Sequence, residues 1–119
     1  MKQGKVWGET MPLLETPFCQ IHRISIKSGA TCSKHRHDHR WNAFYVIAGE
    51  LKILAEKNDY QLTDETLLQS GEICTIPPTE NHWFEAMTDV EALEIYYPSP
   101  CSSADIVREN HGEAPSPVE

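Results

Sequence analysis

A chain of 119 residues with 39% hydrophobic residues fits one domain built around one core. Its 18 acidic against 10 basic residues, a formal charge of -8, argue against nucleic acid and anionic membranes as partners, since both select basic patches. No apolar run approaches the roughly 20 residues that cross a bilayer, and the start MKQGKVWGETMPLLE lacks the apolar stretch of a secretory signal, so a cytoplasmic protein is expected.

In chain order, the segment from Val6 to Leu14 comes first and is able to add to a neighbour's sheet. Candidate strands follow at 19–26, 31–39, 42–48, 51–56, 66–68, 73–76, 82–87 and 92–97. Nothing sustains helical periodicity for three turns, so the chain reads as all-β, and the spacing of the strands suits a sandwich or barrel. Gly29, Gly49 and Gly71 fall between strands, where the backbone needs positive φ, and Asn58-Asp59 and Pro77-Pro78 mark further turns. Cys19, Cys32, Cys74 and Cys101 lie far apart with no C-x-x-C pair, which points to small buried side chains and not to a zinc ribbon or a disulfide framework. After Pro98 the composition turns to Pro, Ser and acid. One domain over residues 1–110 and a flexible tail over 111–119 are expected.

Three of the six histidines fall in His35-Arg36-His37-Asp38-His39. In an extended strand alternate residues share a face, so the three rings are expected to point one way, with Lys34, Arg36, Asp38 and Arg40 opposite. Each buried ring must satisfy two nitrogens, and a metal ion satisfies one of them directly. The competing reading is a polar, solvent-facing strand. His82 follows a turn-rich stretch and opens the run HWFEAM, where it can deliver a ligand from a second strand.

These two stretches resemble the paired motifs of the cupin superfamily. The first runs Gly29, five residues, His35, one, His37, four, Asn42, six, Gly49; the family's pattern has a glutamate where Asn42 stands. The second runs Gly71, five residues, Pro77, one, Thr79, two, His82, three, Ala86, with Thr79 in place of a glycine and Ala86 in place of an asparagine. The resemblance spans Gly29 to Ala86, about half the chain. It implies a double-stranded β-helix, a jelly-roll barrel, holding one divalent transition metal ion in its mouth on His35, His37 and His82.

With Asn42 a neutral amide, the site charge stays near +2. That favours an anionic ligand and shifts preference toward iron(II), nickel, zinc or copper and away from hard ions. Asn42 is either a ligand or an amide bonded to the barrel wall. His39 is either a further ligand or a nearby acid or base, and Tyr45, Glu80 and Glu85 are other candidates for proton transfer. Alternation puts Asn42, Phe44 and Val46 on one inward face and His82, Phe84 and Ala86 on another, giving a compact, partly apolar pocket for a small molecule. Trp41 and Trp83 point to the other side. His22 and His111 receive no role.

Two classes of function stay open. The first is a metal-dependent enzyme: a dioxygenase on a small organic substrate, or an isomerase, epimerase or lyase on a sugar or small acid. The second is a non-catalytic small-molecule binding or sensing module. Edge strands of an open barrel need cover, so a homodimer is expected.

Overall fold

The computed structural model describes residues 2–57, 62–97, 106–110 and 112–115. Asn58-Asp59, Cys101, His111 and residues 116–119 of the expected tail lie outside the described residues. The strands are β1 (Gln3–Lys5), β2 (Gly8–Glu15), β3 (Gln20–Ile26), β4 (His35–Arg36), β5 (Trp41–Ala48), β6 (Leu51–Lys57), β7 (Leu62–Leu68), β8 (Ile73–Ile76), β9 (His82–Ala86), β10 (Val90–Tyr97) and β11 (Val107–Arg108). No helix among the described residues is long and apolar enough to cross a membrane.

Two antiparallel sheets face one another, ordered β1-β2-β3-β10-β5-β8 and β11-β4-β9-β6-β7. Period-2 patterning dictates the arrangement. Along β10, Val90, Ala92 and Tyr96 are buried while their neighbours are less so; along β9, His82, Phe84 and Ala86 are buried and Trp83 and Glu85 are not. The core between the sheets is built from Ile24, Ile26, Phe44, Val46, Leu51, Ile53, Phe84 and Val90. Gly29, Gly49 and Gly71 all take positive φ, as their positions between strands require. At Gly49 a Cβ would stand 2.2 Å from the Asp89 carbonyl oxygen, so no other residue fits that turn.

Two differences from the sequence reading matter. First, β2 pairs with β3 of the same chain from Gly8 to Glu15 and with β1 from Gly8 to Thr10, so this segment is a strand of its own sheet. Second, the strand expected over 31–39 is regular only at His35–Arg36. Arg36 Nε donates to Asp38 Oδ1 at 3.0 Å, and the backbone bends at Asp38-His39. Glu113 exchanges both backbone hydrogen bonds with Thr31, at 3.1 Å each, and Gly112 packs against the Thr31–Ser33 backbone.

Candidate metal centre and its cavity

Strand pairing assembles the site. His35 on β4 lies directly opposite His82 on β9, in the second sheet. His37 follows two residues later, where its carbonyl accepts a hydrogen bond of 2.7 Å from Thr79 N, tying the turn before His82 to the histidine run. Asn42 comes from the first sheet, paired with Ile76 on one side and Tyr96 on the other. All four are buried.

The ring centroids of His35 and His82 are 4.5 Å apart, those of His35 and His37 5.0 Å, and those of His37 and His82 5.4 Å. One donor atom from each of the three lies within 4.8 Å of the others. First-row metal to nitrogen bonds of about 2.0–2.1 Å need donors no more than about 4.2 Å apart, a gap that sub-ångström shifts of the rings close.

The remaining nitrogens are tethered. His35 Nδ1 sits 2.6 Å from the Ser33 carbonyl and His82 Nδ1 3.0 Å from the Glu80 carbonyl; carbonyls only accept, so both Nδ1 atoms carry the proton and leave Nε2 as a lone pair. Burial first, and nearby positive charge after it, drives His35 down to about 4; burial and then the neighbouring His35 drive His82 down to about 3. Both rings are therefore neutral and ready to ligate at neutral pH.

Asn42 Nδ2 donates to the Ile95 carbonyl at 3.2 Å, which fixes the amide and turns Oδ1 toward His82 Nε2, 3.1 Å away. A lone pair then faces a lone pair across a distance typical of two ligands on one cation. The donor set of three imidazoles and an amide oxygen fits a borderline divalent ion.

Arg40, expected on the outer side, is buried at 5% exposure because the bend at Asp38-His39 reverses the alternation. The same bend leaves His39 exposed, so it is not brought to the cluster. Tyr45 is not brought there either: it sits between buried Phe44 and Val46 at 36% exposure, on the outer face of β5. Glu80 and Glu85 form ion pairs, Glu80 with Lys57 at 3.0 Å and Glu85 with Lys52 at 3.7 Å. Trp41 stacks on Tyr97, and Trp83 lies under the Lys34 ammonium, both away from the histidines.

A cavity of about 480 Å³ opens beside His35. Phe84 and Trp7 give it an apolar side, and Gln20, His22, Arg40, Glu94 and Tyr96 a polar one. Glu94 hydrogen-bonds to Tyr96, and burial pushes its carboxyl above the usual range; Arg40 partly opposes this. Sequence reasoning missed Glu94 and His22. Their signal was phase: Glu94 shares the inward set of β10 with Ala92 and Tyr96, and His22 that of β3 with Ile24 and Ile26, the two being paired across the strands.

Residues 22–96, well over half of the chain, match the cupin domain. The chain belongs to the cupin family. This cupin is 27% identical over 104 residues, 86% of its length, to mannose-1-phosphate guanylyltransferase of Escherichia coli, of which it spans 21%. It thus covers about a fifth of the curated relatives it matches. Among solved structures it superposes on oxalate decarboxylase of Bacillus subtilis (TM-score 0.82, 14% identity, 92% of this chain and 30% of that one). It also superposes on KdgF of Halomonas sp. (TM-score 0.74, 18% identity, 87% and 89%) and on the capsular polysaccharide assembling protein CapF of Staphylococcus aureus (TM-score 0.77, 19% identity, 91% and 33%). At these identities the structural likeness shows the fold alone.

Proposed function

We propose that this cupin is a metal-dependent enzyme that moves a proton on a small, oxygen-rich substrate, in the manner of an isomerase, epimerase or lyase. His35, His37, His82 and Asn42 hold one divalent ion, iron(II), nickel, zinc or copper. When bound, the ion supplies Lewis acidity to a chelated substrate oxygen. The observation that carries the reading is Glu94, a cavity carboxyl whose affinity for protons is raised by burial, on the wall shared with His35 and Arg40.

Glu94 is the group that takes and returns the proton. Tyr96 holds its carboxyl in place through their hydrogen bond. Phe84 and Trp7, in edge contact with ring centroids 5.2 Å apart, exclude water from the apolar side. Proteins named for mannose 1-phosphate and for oxalate share this fold, which supports a small oxygen-rich molecule as ligand.

A dioxygenase is the second reading, favoured by the neutral donor set, which leaves coordination positions for a chelating substrate and oxygen together. Association into a homodimer belongs to the same proposal. Trp41, Tyr45, Ile47 and Ile73 leave the outer side of β5 and β8 exposed and apolar, a face that a second copy can cover.

The test is incubation of metal-loaded protein with hydroxy acids, keto acids and sugars in deuterated buffer. Deuterium uptake into one of them is expected, with the rate falling about 10²- to 10⁴-fold in Glu94→Gln at unchanged metal content. Oxygen consumption without deuterium uptake would replace this reading with the dioxygenase. Neither signal across the panel would leave a binding module.

A further inference from the structure

Of the ten basic side chains in this acidic protein, Lys2, Arg23, Lys34, Arg36, Lys52 and Lys57 each lie within 4.0 Å of a carboxylate. Among the described residues, Lys5, Lys27, Arg40 and Arg108 do not. Three of those four, Lys5, Arg40 and Arg108, line the cavity that borders His35. Random placement on a chain of formal charge -8 would pair them with its abundant acids. Their convergence instead gives this cavity three cations against one carboxyl group, Glu94, among its described lining residues.

Arg40 is the most telling of the three. Its guanidinium carbon lies over the Tyr96 ring, 4.0 Å from the centroid, and its hydrogen bonds go to neutral groups: Nε to His37 Nδ1 at 3.3 Å and Nη1 to Gln20 Oε1 at 3.4 Å. Nη2 makes no hydrogen bond among the described residues. A buried, always-charged fork with no carboxylate within 4.0 Å among the described residues is costly, and a ligand carboxylate or phosphate matches its geometry. Arg108 stands across from His35 in the β11–β4 pair and is exposed, at the rim, as is Lys5 on β1. Glu94 is the one acid on the same wall; burial raises its affinity for protons, and the Arg40 charge acts the other way.

We infer that the cavity takes a small organic acid, its anionic group seated on Arg40 and its outer end facing Arg108 and Lys5. This deepens the function proposed above and rests on it only for the chemistry; the anion seat stands on the cations alone. A cavity of about 480 Å³ holds a molecule of sugar-acid size.

Calorimetric titration tests this with malate, glucuronate, glycerol phosphate, inorganic phosphate and, as a neutral probe, glucose. The titrations run on metal-free and zinc-loaded protein, and on Arg40→Gln, Arg40→Lys and Arg108→Gln. Expected are saturable binding of an organic acid to both forms; a loss of tenfold or more in Arg40→Gln, partly recovered in Arg40→Lys; and a loss of several-fold in Arg108→Gln. Preference for malate and glucuronate identifies a carboxylate, and preference for glycerol phosphate a phosphate ester. Inorganic phosphate binding as tightly as any organic anion would overturn the assignment to an organic acid. Glucose binding as well as the acids, or acid binding unchanged in folded Arg40→Gln and Arg108→Gln, would overturn the anion seat. If zinc fails to bind while acids still bind through Arg40, the metal reading fails and the anion seat survives.

Discussion

His82 Nε2 and Asn42 Oδ1 face each other at 3.1 Å, although His82 Nδ1 is already committed to the Glu80 carbonyl at 3.0 Å. A neutral imidazole has one proton for two acceptors, and burial resists a second. A cation on Nε2 and Oδ1 would resolve the conflict, and in the proposed centre Asn42 completes the donor set.

Replacing Asn42 with Ala is therefore expected to lower zinc or nickel affinity about 10- to 100-fold, the usual effect of losing such support. Asn42→Asp adds a charge to the site and shifts preference toward manganese. Competition titrations with a chromogenic chelator read both. Equal affinities in wild type and Asn42→Ala would assign Asn42 to the wall alone.

His39→Ala and Tyr45→Phe are expected to leave metal content unchanged, because the bend at Asp38-His39 and the outward phase of β5 keep both side chains away from the cluster. Elemental analysis of the purified variants checks this; loss of metal in either would place that residue at the ion.

The fold was legible because β8, β9 and β10 alternate in phase with the pleat, and because His35, His37 and His82 sit at spacings that a folded barrel brings together. Arg40 and His39 were read onto the wrong faces, since a two-residue bend sustained by Arg36 and Asp38 breaks the alternation and no periodicity announces it. Glu94 was lost among 18 acids, most of them surface groups; only its position between Ala92 and Tyr96 on an inward face sets it apart.

Stability of the metal-free protein is expected to fall with acid. A histidine in the unfolded chain titrates near 6.5, His35 in the fold at about 4 and His82 at about 3. Between those values the unfolded chain binds protons that the fold refuses, so stability is full above about pH 6.5 and declines as pH drops toward the folded values. At about 1.4 kcal/mol per unit the two rings together contribute several kcal/mol. Glu94, raised by burial, acts in the opposite sense and softens the slope. Urea midpoints at pH 7 and pH 5 measure the decline, which is expected to be smaller in His82→Leu. A midpoint independent of pH would contradict the burial of neutral rings.

Thr79 stands where the family's second motif has glycine, and its φ is 75°, a region that β-branched residues resist. Thr79→Gly is expected to raise stability by up to about 1 kcal/mol, with the Thr79 N to His37 carbonyl bond retained. Thermal unfolding is the readout, and a lower melting temperature would show that the threonine side chain outweighs the strain.

Phe44 lies in edge contact with both His82 and Phe84, with centroids 6.3 and 6.0 Å away, and is 1% exposed. Phe44→Ala is expected to cost about 3–5 kcal/mol and to loosen the metal site with it. A chemical denaturation curve decides, and a loss below about 1 kcal/mol would contradict its place at the base of the centre.

The most direct test of the whole account is metal stoichiometry in wild type and in the His35→Ala, His37→Ala double variant, after metal loading and desalting. One equivalent of a divalent transition metal in the wild type and almost none in a variant that keeps its β-sheet circular dichroism is the expected result. Metal retained by the folded variant, or absent from the loaded wild type, would contradict the three-histidine centre.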